Sequence, residues 1–167
     1  MLGRGLAVAV AAALFDQLSK GAVLTFFDEG GCALHRVVVT GFLDLVLTCN
    51  SGVSFGLFNR SGLSAAIFSL AAALIVIVLM FWLTRVKATF LAVAIGLIIG
   101  GAIGNVLDRL RYGAVIDFLY FHVGSWYWPA FNLADSAICL GVSAMLLDGL
   151  LLRRAAPQAK GREDLSP

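Results

Sequence analysis

The sequence predicts an all-α membrane protein: four transmembrane helices, with a small extracytoplasmic β-element formed by the two longer loops. Three observations carry that prediction. Of 167 residues, 60% are hydrophobic and only 13% are charged, whereas a soluble chain is about half apolar and about a quarter charged. Mean hydropathy is +0.95. Four apolar runs each approach the roughly 20 residues that cross a bilayer.

The first run, about 5–27, contains Asp16 and Lys20. A cleaved secretory signal has a short, uncharged apolar core. Here the apolar run continues past both charges, so it is read as a retained span. The second run, about 62–84, has no charge, and the third, about 88–107, stops at Asp108. The fourth, about 130–152, carries only Asp135 and Asp148. Together they predict one four-helix membrane domain over 1–153, with outer loops at about 28–61 and 108–129. Residues 154–167 are polar and hold two of the three prolines, so a disordered cytoplasmic tail is expected there.

Basic residues set the orientation. Arg4 precedes span one, Arg85 and Lys87 fill the short link, and Arg153 and Arg154 follow span four. Both termini are therefore expected in the cytoplasm. Arg109 and Arg111 fall on the other side, and ask for another explanation. Both outer loops read as hairpins: RVVVTGFLDLVLTCN turns at Thr40-Gly41, and AVIDFLYFHVGSWYW turns at Gly124-Ser125. Trp126, Tyr127 and Trp128 suit an interfacial aromatic belt.

Composition excludes several functions. A net charge of +2 without a basic, aromatic-interleaved stripe offers no nucleic-acid footprint. Only His35 and His122 are histidines, and Cys32, Cys49 and Cys139 form no CxxC. No metal site and no cofactor is expected. Cys32 and Cys49 could form a disulfide if their loop lies outside the cytoplasm, which the sequence alone leaves open.

A charge at membrane depth is costly, and is usually turned inward, paired or used. Asp16 and Lys20, in DQLSK, are four apart and share a helix face; they either neutralise each other or brace a polar site. Ser19 and Lys20 are helix neighbours and do not face each other, which disfavours a Ser–Lys dyad. In CNSGVSFGLF (49–58), Asn50, Ser51 and Ser54 offer hydrogen bonds between Gly52 and Gly56. That stretch is an ordinary loop or one that grips an extended peptide. Gly96, Gly100 and Gly104 are spaced by four, which permits close helix approach. Gly101, Asn105 and Arg109 lie on one line of the same helix, with Asp108 beside them. Arg109 either snorkels to headgroups or holds a carboxylate or a carbonyl.

Two further acids stand at the same membrane boundary. Asp117 lies in AVIDFLYF, where a strand puts Val115, Asp117, Leu119 and Phe121 on one face. Asp135 follows Asn132 by three, which fits a helix cap. Separately, Asp117 reads as a strand-edge charge and Asp135 as a cap. Together they form a candidate dyad. Two adjacent carboxyls share a proton, and such a pair can activate water on one side and polarise a carbonyl on the other. An ion-coupled carrier using Asp16, Lys20, Asp108 and Asp135 is a second reading, and a scaffold with buried ion pairs a third. A carrier often shows inverted repeats; this sequence shows none.

DQLSK (16–20), NSGVSF (50–55), GGAIGNVLDR (100–109), GAVIDF (113–118) and PAFNLAD (129–135) closely resemble, in order, the segments of the bacterial lipoprotein signal peptidase (signal peptidase II) family. Ser54 and Ile116 stand where Ala and Val are frequent in the family. The resemblance implies an intramembrane aspartyl endopeptidase, with Asp117 and Asp135 catalytic. It implies substrate-binding or supporting roles for Asp16, Lys20, Asn50, Gly101, Asn105, Arg109 and Asn132. The implied substrate is a prolipoprotein with a diacylglyceryl cysteine, cut just before that cysteine. The implied place is the bacterial cytoplasmic (inner) membrane, with the site near its outer face, membrane lipid as surroundings and a monomer as the working unit.

Overall fold

A computed structural model of the chain describes residues 1–27, 35–51 and 63–155. The elements run α1 (Leu2–Phe26), β1 (His35–Val38), β2 (Leu43–Asn50), α2 (Leu63–Leu83), α3 (Thr89–Tyr112), β3 (Val115–Val123), β4 (Trp126–Tyr127) and α4 (Leu133–Ala155). All four helices are long and apolar enough to cross a membrane. Gly52, Ser54, Gly56 and Cys32 lie outside the described residues, as does 156–167.

α3 is the hub. Its Ala92, Ile95, Ile98 and Ile99 pack with Ala9 of α1 and Leu79 and Leu83 of α2. The opposite surfaces of the other helices are apolar and open: Phe15, Leu18, Leu70, Ile77 and Leu146 are all exposed. Apolar surface on this scale has no place in water and suits lipid, so the bundle buries small and polar groups and presents its large side chains outward. Gly101 and Gly104 are two of the places where helices come close. A Cβ at Gly101 would meet the Ala134 carbonyl of α4, and one at Gly104 would sit 2.5 Å from the Asp16 carboxylate of α1.

The third helix outruns the apolar run that marks it: past 107, α3 continues through Asp108, Arg109 and Arg111 to Tyr112. A polar residue ends an apolar run but need not end a helix, and Asp108 here has buried partners. What stops α3 is Gly113, which adopts φ 73° and donates its N–H to the Arg109 carbonyl at 3.1 Å. Only glycine enters that left-handed region at no steric cost.

The two predicted hairpins join in one antiparallel sheet of order β1-β2-β3-β4. Thr48 of β2 stands opposite Asp117 of β3, and Asn50 opposite Val115. On its other edge β3 meets the segment entering α4, through a bridge between Leu119 and Phe131. Val23 of α1 packs beneath the sheet with Leu47, Ile116 and Phe118. Both faces of β3 are therefore covered at its start: Val115 to Phe118 are all buried, and simple alternation fails there. A second polar brace ties the sheet together. Fully buried Asp44 lies 2.6 Å from Arg36 and 3.4 Å from His122. Cys49 is disulfide-bonded, while Cys139 is a free, exposed thiol.

Candidate active site

Five buried polar residues from two helices and the segment entering a third meet where the helices enter the sheet. α1 supplies Asp16 and Lys20, which are 0% and 2% exposed; α3 supplies Asn105 and Asp108; Asn132 precedes α4 and is fully buried. Burying so much polarity without partners would be prohibitive, and each of these residues has several. Lys20 Nζ lies 2.8 Å from Asp16 Oδ2 and 2.7 Å from Asp108 Oδ2, and donates to Asn105 Oδ1 at 3.2 Å. The i,i+4 pair thus does more than neutralise itself.

Asp16 also fixes a second helix. Its Oδ1 accepts the backbone N–H of Ala134 at 2.9 Å, one of the unsatisfied donors in the first turn of α4. An anion at that position also suits the positive end of the helix dipole. Gly101 makes its contribution by close approach, since it lets α3 touch α4 at the same Ala134.

Asn132 is the hinge of the site. Its Oδ1 caps α4 by accepting the Asp135 N–H at 2.9 Å, and Asp135 Oδ2 accepts the Asn132 N–H in return at 3.3 Å. This is a reciprocal capping box, so the cap reading of Asp135 holds. The same Asn132 side chain donates through Nδ2 to Asp117 Oδ1 at 2.7 Å. One amide therefore holds the Asp117 carboxylate and the Asp135 backbone N–H. Asn105 Nδ2 donates to Asp135 Oδ1 at 2.8 Å, and Asn50 Nδ2 donates to Asp117 Oδ2 at 3.1 Å.

Asp117 is 2% exposed, which rules out a solvated strand-edge charge. Burial pushes its carboxyl up to about 6; the Asp135 charge pushes the same way, and hydrogen bonds from Asn50 and Asn132, with Lys20 nearby, pull against them. The Arg109 guanidinium faces the same region. Its Nη1 donates to the Asn105 carbonyl at 3.3 Å, and it lies over the Phe68 ring at 5.7 Å. Its buried Nε has no hydrogen-bond partner among the described residues. A cavity of about 550 Å³ opens beside Asp135 along α4, walled by Trp128, Phe131, Ser136, Cys139 and Leu140.

All nine residues singled out from the sequence fall within or against this cluster. Gln17 was not among them, and Asp108 figured only beside Arg109 and in the carrier reading. Gln17 Nε2 donates to Asp108 Oδ1 at 2.8 Å and to the Gly104 carbonyl at 3.2 Å, and Asp108 Oδ2 accepts the Ile116 N–H at 3.1 Å. The signal for Asp108 was a carboxylate at the end of an uncharged span. Gln17 left none, because a neutral amide does not mark an apolar run. Among the described residues no group of His, Cys, Asp and Glu has the arrangement of a metal site.

A bundle of four apolar helices around a buried polar cluster, with an apolar cavity beside it, defines a polytopic membrane protein. The comparisons with known proteins agree. The family model described as signal peptidase (SPase) II matches residues 8–151. The chain is 47% identical over 162 residues to the lipoprotein signal peptidase of Nitrobacter hamburgensis, covering 93% of this chain and 96% of that one. It is 46% identical over 160 residues to that of an Azoarcus species, covering 92% and 86%. Two solved structures of a bacterial membrane enzyme, obtained by the in meso method, superpose with a TM-score of 0.74 each at 28% and 29% identity. They cover 95% and 89% of this chain and 94% and 93% of their own. The chain belongs to the signal peptidase II family, and is a multi-pass membrane protein of a protease family.

Proposed function

We propose that this protein is an intramembrane aspartyl endopeptidase that removes the signal peptide from diacylglyceryl-modified prolipoproteins, cutting before the lipidated cysteine. The observation that carries the reading is the single Asn132 side chain that bonds the Asp117 carboxylate through Nδ2 and the Asp135 backbone N–H through Oδ1, with Asn105 holding the Asp135 carboxylate. It supports a pair of acids held at fixed separation and orientation, which is what two-carboxyl catalysis needs.

In this mechanism the pair carries one proton between its members. Asp135 takes a proton from water as the water oxygen attacks the scissile carbonyl carbon. The carbonyl oxygen takes the proton of Asp117, giving a neutral gem-diol. The diol then returns one hydroxyl proton to Asp117 as the C–N bond breaks, and Asp135 delivers its proton to the leaving amine. The pair ends as it began. The unpartnered Arg109 Nε suits a substrate carbonyl. The cavity beside Asp135 suits an apolar segment of substrate entering from lipid, and the sheet covers the site and excludes water, which strengthens its electrostatics.

The proposed setting is the bacterial cytoplasmic (inner) membrane. Arg4, Arg85, Lys87, Arg153 and Arg154 place both termini and the tail 154–167 in the cytoplasm. The sheet and the dyad then lie at the outer face, within one domain over 1–153 that acts as a monomer. The ion-carrier reading gains no support, since Asp16, Lys20 and Asp108 are bound to one another.

A gel-shift assay tests the substrate. Purified protein should shorten a prolipoprotein carrying the diacylglyceryl group and leave the unlipidated form intact. Equal cutting of both forms would remove lipid recognition from the proposal, and cutting of neither would remove the reaction. A second expectation concerns pH. An active pair holds one proton, and Asp117 loses its own at about 6 in the free protein. The pair titrates as a unit, so kcat/KM should fall as pH rises through about 6. The kcat limb should lie higher, because bound substrate excludes more water and burial raises a carboxyl further. Flat kcat/KM between pH 5 and 8, on the order of three units, would contradict a shared proton.

A further inference from the structure

We propose that Asp108 is a positioning residue for the reaction: it fixes the strand segment that carries Asp117. This inference rests on the dyad reading and adds a residue to it. Asp108 is 1% exposed and sits in the last turns of α3. Its carboxylate draws together three elements. Oδ1 accepts Gln17 Nε2 of α1 at 2.8 Å. Oδ2 faces Lys20 Nζ at 2.7 Å and accepts the Ile116 backbone N–H of β3 at 3.1 Å.

Ile116 immediately precedes Asp117. Its N–H goes to Asp108, and its carbonyl accepts Asn132 Nδ2 at 3.2 Å. The residue before the proposed catalytic acid is thus held on both backbone polar atoms, from α3 on one side and from the cap of α4 on the other. A helix carboxylate that takes a strand N–H is an unusual use of a buried charge. It ties the start of β3 directly to α3. A displacement of about 1 Å at a reacting group costs on the order of 100-fold in rate, so this backbone clamp bears on turnover without touching substrate.

Charge points the same way. The titratable and charged groups around the site are Asp16 and Lys20 on α1, Asp108 and Arg109 on α3, and Asp135 on α4; β2 contributes the neutral Asn50. Lys20 favours the ionised form of Asp117, and Asp108 neutralises part of that cation. Removing the Asp108 charge while keeping its shape should leave Lys20 free to act more strongly on Asp117. The pH at which kcat/KM declines should then move down.

The experiment compares wild type, Asp108→Asn, Asp108→Ala and Asp117→Asn on one lipidated prolipoprotein, with kcat and KM measured across pH. Asp108→Ala cuts the clamp and should lower kcat on the order of 100-fold with little change in KM. Asp108→Asn retains an oxygen for the Ile116 N–H and should recover much of that loss, while its alkaline limb moves to lower pH. Unchanged kcat in Asp108→Ala, or an unmoved limb in Asp108→Asn, overturns the proposal. So does an Asp108→Asn protein that fails to fold, because the residue would then be a requirement of the bundle itself. Asp117→Asn separates the two levels: if it turns over substrate, the dyad reading fails whatever Asp108 does.

Discussion

Asp117→Asn and Asp135→Asn are each expected to stop cleavage of a lipidated prolipoprotein, with losses on the order of 1,000-fold or more. An asparagine keeps the size of the side chain and one acceptor oxygen, but neither takes a proton from water nor gives one to a carbonyl. The two variants should differ in stability, which makes the comparison informative. At Asp117 the charge works against the fold. The carboxyl titrates at about 6 in the folded protein against 3.8 in its unperturbed state. Between those values the folded form binds more protons than the unfolded one, so stability falls as pH rises, and the cost is complete above about 6. Asparagine carries no such cost. Asn132 can still donate to its oxygen. Asp117→Asn should therefore melt no lower than wild type at neutral pH.

Asp135→Asn should melt slightly lower. The Asp135 carboxylate accepts from Asn105 and from the Asn132 N–H, and one amide oxygen cannot replace both acceptors. A lost capping interaction costs about 1 kcal/mol. Gel-shift assays alongside thermal unfolding in detergent read both properties. Substantial turnover by either folded variant would sink the two-carboxyl mechanism, and the reaction would need another source of activated water.

Much of this arrangement was legible in the residues. Four apolar runs located four helices because lipid imposes a length and a composition on each span. Thr40-Gly41 and Gly124-Ser125 located two hairpins. What periodicity could not reach was long-range. Asp117 was expected on one face of a half-buried strand, yet β3 is covered on both faces, because β2, the α4 entry segment and Val23 converge on it. α3 outlasts its apolar run because a polar residue ends the run and not the helix. Asp108 remains helical and buried because Lys20, some 90 positions earlier in the sequence, reaches it. Asn132 was read as a cap or as a supporting residue, and it serves in both ways through different atoms of one side chain. The Asp44 brace with Arg36 and His122 had no sequence signal, since His122 comes from a second hairpin that pairs with the first only in the fold.

Lys20→Met should produce the largest loss of stability among single changes in the cluster. Lys20 stands between two carboxylates, Asp16 and Asp108, that are 0% and 1% exposed. Without the ammonium group they face each other in a region closed to water. Breaking a buried pair from one side typically costs 3–5 kcal/mol, roughly, because the remaining charge has no solvent. For a chain of this size that corresponds to a fall in Tm of about 10 °C. Two features limit the damage: the Ala134 N–H still serves Asp16, and the Ile116 N–H and Gln17 still serve Asp108. They also make the effect testable by subtraction. Adding Asp108→Asn to Lys20→Met removes one of the opposed charges and leaves Asp16 at the N-terminus of α4, where the helix dipole favours an anion. The double variant should therefore be more stable than Lys20→Met alone, although it has lost one more native residue. Lys87→Met, at an exposed position in the α2–α3 link, should melt with wild type. If Lys20→Met also melted with wild type, or if the second substitution lowered Tm further, the cluster would not be a charge-balanced unit. The close approach of α1, α3 and α4 would then rest on Gly101, Gly104 and the apolar contacts alone.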